Sequence, residues 1–249
     1  MGDPIVLRLE NLSKRYSPDR PAIFEGLNLN LRQGEYIAVM GESGVGKSTL
    51  LNLLAGLDTP DSGRVLLEGT DLSSLDDDAI TLLRRRAVGF VFQAFHVLPY
   101  LTVEQNVALP LDLLGVTESA RTSRTLEMLE AVGIAPLARR YARELSGGEV
   151  QRIAIARALV HKPRLVLADE PTGNLDPRSA AQTLQLLRTQ VKANAGAGIL
   201  ITHSRTAAET ADRILVLDMS GLKPLSPTPE PDFSPARGRD ADPSSGSGA

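Results

Sequence analysis

Residues 41–48 read Gly-Glu-Ser-Gly-Val-Gly-Lys-Ser, and this stretch limits the possible fold more than any other. It lies between the apolar run 36–40 and the helical run 49–55, which is a strand–loop–helix context. There, glycines let the backbone turn tightly enough for its N–H groups to converge on an anion, and the helix contributes its positive N-terminal end. A glycine-rich turn that only joins a strand to a helix would need neither the lysine nor the hydroxyl. The stretch therefore predicts a nucleoside triphosphate site.

Two side chains at the end of this loop have predicted roles. Lys47 would reach the β- and γ-phosphates, and the Ser48 hydroxyl would hold Mg²⁺. Glu42 places an acid inside the loop, and its side chain is expected to point to solvent because the backbone forms the cradle. The residues predicted to bind the nucleotide here are Gly41, Glu42, Ser43, Gly44, Val45, Gly46, Lys47, Ser48 and Thr49.

Composition excludes several classes of function. The net charge of the 249 residues is −3, so no basic surface is expected to draw the chain to nucleic acid. No apolar run approaches the roughly 18 residues that a bilayer span requires, and the first residues lack the charged-then-apolar pattern of a secretory signal, so none is expected. The chain is expected not to cross a membrane by itself. The absence of cysteine excludes disulfides and thiolate metal sites, which suits a reducing cytosol.

The order of apolar patterns predicts an α/β fold with two additions to a core of the P-loop NTPase type. Alternation of leucines and isoleucine over residues 1–31 predicts an N-terminal antiparallel β-subdomain. From about residue 94 to 160 helical patterns replace strands, which predicts an inserted helical subdomain. One domain would cover residues 1–220, and the Pro/Ser/Gly-rich stretch 221–249 is expected to be a disordered tail. Core strands are predicted at 36–40, 88–92, 165–168 and 198–202, with a final edge strand at 215–217.

Polar residues follow three of these strands at their carboxyl ends, where ligands of open α/β sheets gather. Gln93 follows the second strand, Asp169 and Glu170 follow the third, and His203 follows the fourth. The Gln93 amide could contact a metal or a water near the phosphates, but taken alone Gln93 could equally be an ordinary loop residue. Tyr16, in a polar loop, could stack on a nucleobase or simply pack in that loop.

A second glycine-rich helix start lies at residues 145–149, Leu-Ser-Gly-Gly-Glu. Free N–H groups at such a start can bind an anion, although a plain helix cap would explain it equally. The two candidate anion sites are about a hundred residues apart and lie in different parts of the fold. One explanation is that each triphosphate is held between the loop of one copy and the Ser-Gly-Gly end of another. The protein would then work as a pair.

Taken together, these motifs resemble the ATP-binding subunit of an ABC transporter over roughly residues 5–220. They stand in that family's order: the adenine-stacking aromatic (Tyr16), Walker A (41–48), the Q-loop glutamine (Gln93), the signature (145–149), Walker B (165–170), the D-loop (174–176) and the switch histidine (His203).

The resemblance implies a mechanism that uses ATP and Mg²⁺. Glu170 would orient and deprotonate the attacking water, and His203 would contact the γ-phosphate. Asp169 and Gln93 would hold the metal together with Ser48.

The resemblance also implies that two copies share each ATP. Ser146 and Gly148 of the partner subunit would close the site. Gly147 and Asp176 are also expected to bind the nucleotide. A homodimer would then deliver force to separate integral-membrane subunits from the cytoplasmic face of the inner membrane. Their docking surface is expected on the helical subdomain and on residues 94–106, although some of Phe95, Val97, Leu98 and Leu101 would be core.

Within the family, residues 92–107 and 168–176 resemble the branch of lipoprotein-releasing (LolD-like), macrolide-export and cell-division ATPases. An exporter or lipoprotein-release complex is the first expectation, and a cell-division ATPase that signals without transport is an alternative. A soluble ABC ATPase acting on chromosomes would need a coiled-coil insertion or a basic face, and neither is present. A GTPase is disfavoured because no Asn-Lys-x-Asp stretch occurs.

Overall fold

The computed structural model describes residues 3–218 and 221–225, which form two β-sheets and a set of helices. The strands are β1 (Ile5–Lys14), β2 (Phe24–Arg32), β3 (Tyr36–Met40), β4 (Ser62–Leu67), β5 (Thr70–Asp71), β6 (Val88–Phe92), β7 (Leu165–Asp169), β8 (Ala197–Ile201), β9 (Arg213–Asp218) and β10 (Gly221–Pro224). The helices are α1 (Lys47–Leu54), α2 (Asp77–Ala87), α3 (Val103–Leu113), α4 (Glu118–Ala131), α5 (Gly147–Leu159), α6 (Pro177–Ala193) and α7 (Arg205–Ala208).

The first sheet is antiparallel, with the strand order β2-β1-β4-β5. The leucines at 27, 29 and 31 that predicted β2 are all buried, on the face that packs into the core. The antiparallel N-terminal β-structure expected from the alternating pattern is therefore confirmed.

The second sheet has the order β10-β9-β3-β8-β7-β6, and its strands are parallel except for β10. Val39 pairs with Ile201, and Asp169 pairs with both Ile201 and Phe92. The carboxyl ends of β3, β8, β7 and β6 therefore lie at one level. This register brings the residues that follow these strands to a single edge of the sheet.

Two apolar clusters cover the two faces of this sheet. One cluster fills the space between the sheet, α1 and the antiparallel sheet, with Ile37, Leu50 and Leu167 at its centre. The other joins the opposite face to α3, α4, α5 and α6 through residues such as Ile155 and Leu187. The phosphate loop between β3 and α1 thus rests on the first cluster, and the helical subdomain rests on the second.

The helices α3, α4 and α5 lie within the stretch predicted to be helical, and a capping box of Thr102 and Gln105 begins α3. The buried Asn106 holds the preceding loop, because its side chain accepts from Leu98 N–H and donates to the carbonyls of Leu98 and Thr102. A polar residue inside an apolar helix face is therefore fully paired here.

Two sequence predictions at the C-terminal end are wrong. The disordered tail was expected from residue 221, but Gly221–Pro224 forms β10 and pairs antiparallel with β9. The expected edge strand at 215–217 is part of β9, which lies between β3 and β10 and is not at the edge. The remainder of the predicted tail, 226–249, lies outside the described residues.

The helix α6 was not predicted from the sequence, although its start carries clear signals. Asp176 caps the helix and Pro177 occupies its first position. Within residues 3–218 and 221–225, no helix is long and apolar enough to cross a bilayer.

Candidate functional site

The loop between β3 and α1 requires glycine at two positions for steric reasons. At Gly46, φ is +103° and a Cβ would lie 2.2 Å from the Ile23 Cγ2 atom. At Gly41, a Cβ would lie 2.7 Å from the carbonyl oxygen of Leu217. The loop is therefore pressed against β9 and against the segment that precedes β2, which fixes its path.

The cradle formed by this loop presents free donors. Among the described residues, the backbone N–H groups of Gly44, Gly46, Lys47 and Ser48 make no hydrogen bond. The Lys47 ammonium donates to the carbonyls of Gly41 at 2.9 Å and Glu42 at 2.7 Å, so its charge stays over the loop. Unpaired N–H groups at a helix start, beside a lysine, form a site that fits a phosphate chain.

A pocket of about 420 Å³ brings the loop together with the polar residues at the sheet edge. It is lined by Ile23, Ser43, Gly44, Gly46, Lys47, Ser48, Thr49, Gln93, Asp169, Glu170 and His203. Of the predicted nucleotide and metal residues, six of the loop and those at three strand ends therefore share one cavity. Gly41, Glu42 and Val45 lie outside this lining and border a neighbouring depression that His203 also lines.

The oxygen ligands in this pocket suit Mg²⁺. Ser48 offers a hydroxyl, Gln93 an amide oxygen and Asp169 a carboxylate, which are the donor types that a hard divalent cation prefers. Burial and the negative charge of Glu170 raise the pKa of Asp169, and the Lys47 charge opposes them. A cation beside Asp169 would relieve this penalty on the charged carboxylate.

Glu170 turns away from the loop and pairs with the end of β8. Its backbone has φ +42°, and its N–H donates to Ile201 O at 2.9 Å. The Oε1 atom accepts from His203 N–H at 2.8 Å and lies 2.7 Å from His203 Nδ1, while Oε2 accepts from the Thr202 hydroxyl at 3.2 Å. The carboxylate is only 15% exposed, whereas the His203 side chain is 74% exposed. The adjacent carboxylates Asp169 and Glu170 thus have different partners.

Gln93 contacts the segment that follows Glu170. A Cβ on Gly173 would lie 2.9 Å from Gln93 Nε2, so the two residues are in close contact. The Asn174 side chain donates to Gln93 O at 2.9 Å. The loop after β6 and the segment after β7 are therefore joined directly at the pocket.

Tyr16 lies next to the phosphate loop but does not line the pocket. Its hydroxyl lies 2.9 Å from Asp58 Oδ2 and 3.5 Å from Thr49 Oγ1, and the Lys14 ammonium lies 4.9 Å from the ring centroid. The side chain is 60% exposed. An exposed ring beside the loop is available for stacking on a base.

The second candidate anion site is not brought to the pocket. Ser146 forms a capping box with Glu149, whose carboxylate accepts from the Ser146 hydroxyl at 2.6 Å, and this bonding lowers the pKa of Glu149. Gly147 and Gly148 start α5, and the Asp176 carboxylate caps α6 by accepting from Arg178 and Ser179 N–H groups. None of these predicted residues lines the pocket, so one chain assembles only part of the predicted site.

Sequence reasoning missed two residues that shape the site. The Arg157 guanidinium donates to the carbonyls of His96 at 2.6 Å and Phe95 at 2.9 Å, and both of those residues have positive φ. Nothing in the sequence pairs Arg157 with that loop. Thr202 supports Glu170, and its signal was a hydroxyl at the carboxyl end of a predicted strand.

Comparison with known proteins agrees with this geometry. Residues 24–173 match the family described as "ABC transporter". The chain is 44% identical over 225 residues to the lipoprotein-releasing system ATP-binding protein LolD of Xanthomonas campestris, covering 90% of this chain and 94% of that protein. It is 47% identical over 221 residues to LolD of Pseudomonas syringae, covering 88% of this chain and 97% of that protein.

A solved structure is similar throughout the same region. It is the dimeric post-hydrolysis state of the ATP-binding cassette MJ0796 bound to ADP and Pi, with a TM-score of 0.76 and 35% identity. The match covers 87% of this chain and 96% of that one. The chain therefore belongs to the ABC transporter family, as an ATP-binding subunit that hydrolyses ATP.

Proposed function

We propose that this chain is the ATPase subunit of a lipoprotein-releasing complex and acts as a homodimer at the cytoplasmic face of the inner membrane. The names of the two LolD relatives and their coverage of nearly the whole chain support the lipoprotein-releasing role. The observation that carries the dimer is the incomplete pocket. Lys47, Asp169 and Glu170 meet in one cavity, while Ser146 and Asp176 lie outside it.

The phosphate loop binds the triphosphate through its free N–H groups and Lys47. Ser48, Gln93 and Asp169 hold Mg²⁺, which supplies positive charge to the phosphate oxygens when it is bound. Tyr16 stacks on the adenine. These contacts position the substrate and leave the chemistry of water activation to the residues at the sheet edge.

Glu170 acts as the general base. Its carboxylate orients the attacking water and accepts its proton, while Thr202 and the His203 N–H hold that carboxylate in place. When ATP binds, the exposed His203 ring gives up the contact between its Nδ1 atom and Glu170 and contacts the γ-phosphate instead.

The second copy completes each site. Ser146, Gly147 and Gly148 start a helix whose N–H groups can bind the γ-phosphate from the opposite side. For this the Ser146 hydroxyl must exchange its bond to Glu149 for one to ATP. Two sites thus form between two copies, and hydrolysis lets the copies separate.

A groove of about 470 Å³ between α2, β6, α3 and α5 is the docking surface for the membrane subunit. Leu109, Pro110 and Leu113 give it an apolar wall, and arginines 84, 85 and 157 give it positive charge. It therefore fits a cytoplasmic segment with apolar and acidic side chains. Because Arg157 also bonds the loop after Gln93, a partner in this groove would contact a residue connected to the ATP site.

The proposal is tested by isolating the complex from membranes and reconstituting it in proteoliposomes. We expect an integral partner with a large periplasmic domain, and ATP-dependent release of a membrane-anchored lipoprotein to an acceptor. A complex whose ATP hydrolysis releases no lipoprotein, or whose partner lacks a periplasmic domain, would contradict the lipoprotein-releasing role.

A further inference from the structure

Gln151, in α5, is a buried polar residue without partners. Its side chain is 0% exposed, and within the described residues neither Oε1 nor Nε2 makes a hydrogen bond. A primary amide offers two donors and two acceptor sites, and burying them unpaired is unfavourable. Such a group in a native protein requires an explanation, and one explanation is that it gains partners in another state. The proposed mechanism assigns Gln151 no role.

The face of α5 that carries Gln151 is turned toward the start of α6. A Cβ on Gly147 would lie 3.8 Å from Leu175 Cδ2, and one on Gly148 would lie 3.8 Å from Ser179 Oγ. Residues three and four apart share a helix face, so Gln151 follows these two glycines one turn along α5. The buried amide therefore lies on the side of α5 that packs against the segment 172–176 and the first turn of α6.

The segment 172–176 is connected to the catalytic pocket at two points. Gly173 N–H donates to Glu170 O at 3.1 Å, and the Asn174 side chain donates to Gln93 O at 2.9 Å. In the described structure the backbone N–H groups of Thr172 and Asn174 make no hydrogen bond. A polar segment with free donors thus runs between the unpaired amide and the residues proposed to hold water and metal.

We propose that Gln151 is a positioning residue whose amide bonds the segment 172–176 only when two ATP-bound copies close on each other. In the separated subunit the amide stays unpaired. Closure presses Ser146, Gly148 and Asp176 against the second copy. This movement shifts the segment 172–176, so that the segment can hydrogen-bond to the Gln151 amide. The new hydrogen bonds favour the closed state and keep Glu170 and Gln93 in the positions that hydrolysis requires. The inference rests on the proposed role of these residues at the subunit interface.

The test compares Gln151→Met with Thr125→Val. Methionine has the length of glutamine without its amide, and Thr125, in α4, is a matched control because its hydroxyl is also buried and unpaired. We expect both variants to keep or raise the midpoint of thermal unfolding. We expect Gln151→Met to lower kcat of the complex at least tenfold with KM for ATP within twofold of wild type, and Thr125→Val to change neither.

A second measurement separates positioning from folding. In a Glu170→Gln background, light scattering measures dimerisation against ATP concentration. Adding Gln151→Met should raise the ATP concentration at which dimerisation is half complete at least tenfold, and adding Thr125→Val should leave that concentration unchanged. Unchanged kcat and dimerisation in the methionine variant would overturn the proposal, and so would a clear fall in its unfolding midpoint, since the amide would then already be bonded in the separated subunit. A Glu170→Gln parent that fails to dimerise with ATP would overturn the proposed dimer itself.

Discussion

At the scale of single residues, the pocket separates two carboxylates that are adjacent in the sequence. Asp169 ends β7 and faces the charge of Lys47, whereas Glu170 adopts a positive φ and bonds the residues after β8. In the proposed mechanism, this difference lets Asp169 hold the metal and Glu170 orient the water. The difference comes from the backbone turn at residue 170, because both side chains have the same chemistry.

Replacing Glu170 by glutamine should preserve ATP binding and nearly abolish turnover. The amide keeps the size of the side chain but cannot accept the proton, and a general base is worth about 10²–10⁴ in rate. Steady-state hydrolysis and nucleotide binding measure the two effects, and light scattering should detect an ATP-trapped dimer. Lys47→Ala is the comparison, since it should lose ATP affinity instead. Wild-type turnover in Glu170→Gln would show that another residue is the base.

The raised pKa of Asp169 predicts a pH-dependent effect on stability. A half-buried carboxylate with a raised pKa destabilises the folded protein once it is charged. This cost is absent below the ordinary aspartate pKa of about 3.9 and is complete above the raised value. Without Mg²⁺, Asp169→Asn should therefore raise the unfolding midpoint more at pH 8 than at pH 4.5. A gain that was equal at both pH values would contradict the effect of burial.

At the scale of elements, close packing of α5 on β6 positions the signature helix against the core. A Cβ on Gly89 would lie 2.1 Å from Ala158 O and 3.0 Å from Pro163 Cγ. Strand and helix therefore approach more closely than any other residue would permit. This contact sets where α5 lies relative to β6 and the loop that carries Gln93.

Gly89→Ala should accordingly destabilise the protein. Forcing a methyl group into this contact should cost about 1–3 kcal/mol, with a smaller loss of ATP affinity because the phosphate loop is remote. Denaturant unfolding measures the change in the free energy of unfolding. Gly26→Ala is the control for added bulk, since its Cβ would meet no atom within 4 Å and only its positive φ opposes the substitution. Equal losses in the two variants would show that the β6–α5 contact is not tight.

Across the whole molecule, the exposed apolar side chains include several on the helical subdomain. Leu98 and Tyr100, in the loop after Gln93, are 46% and 76% exposed, whereas Val97 of the same loop packs into the helical cluster. The predicted docking stretch thus divides into exposed and core residues.

Leu113→Asp should weaken the complex with the membrane subunit. Leu113 is 60% exposed and lines the groove, so a carboxylate there would oppose the acidic partner expected from the three arginines. Co-purification from membranes should fall severalfold, while basal ATP hydrolysis of the isolated subunit stays unchanged. Leu126→Asp, at a 41% exposed site on α4 that does not line the groove, should co-purify normally. Equal loss in both variants would argue against the groove as the docking surface.

The phosphate loop, the core strands and the polar residues at the strand ends could all be predicted from the sequence, because they depend on local glycine geometry and apolar periodicity. It did not predict β10, α6 or the pairing of Arg157 with the loop after Gln93. The folded chain was needed to show that Glu170 pairs with His203, that Ser146 lies outside the pocket and that, among the described residues, the Gln151 amide has no partner. Such contacts join residues distant along the chain, so they depend on how strands and helices pack and not on local pattern.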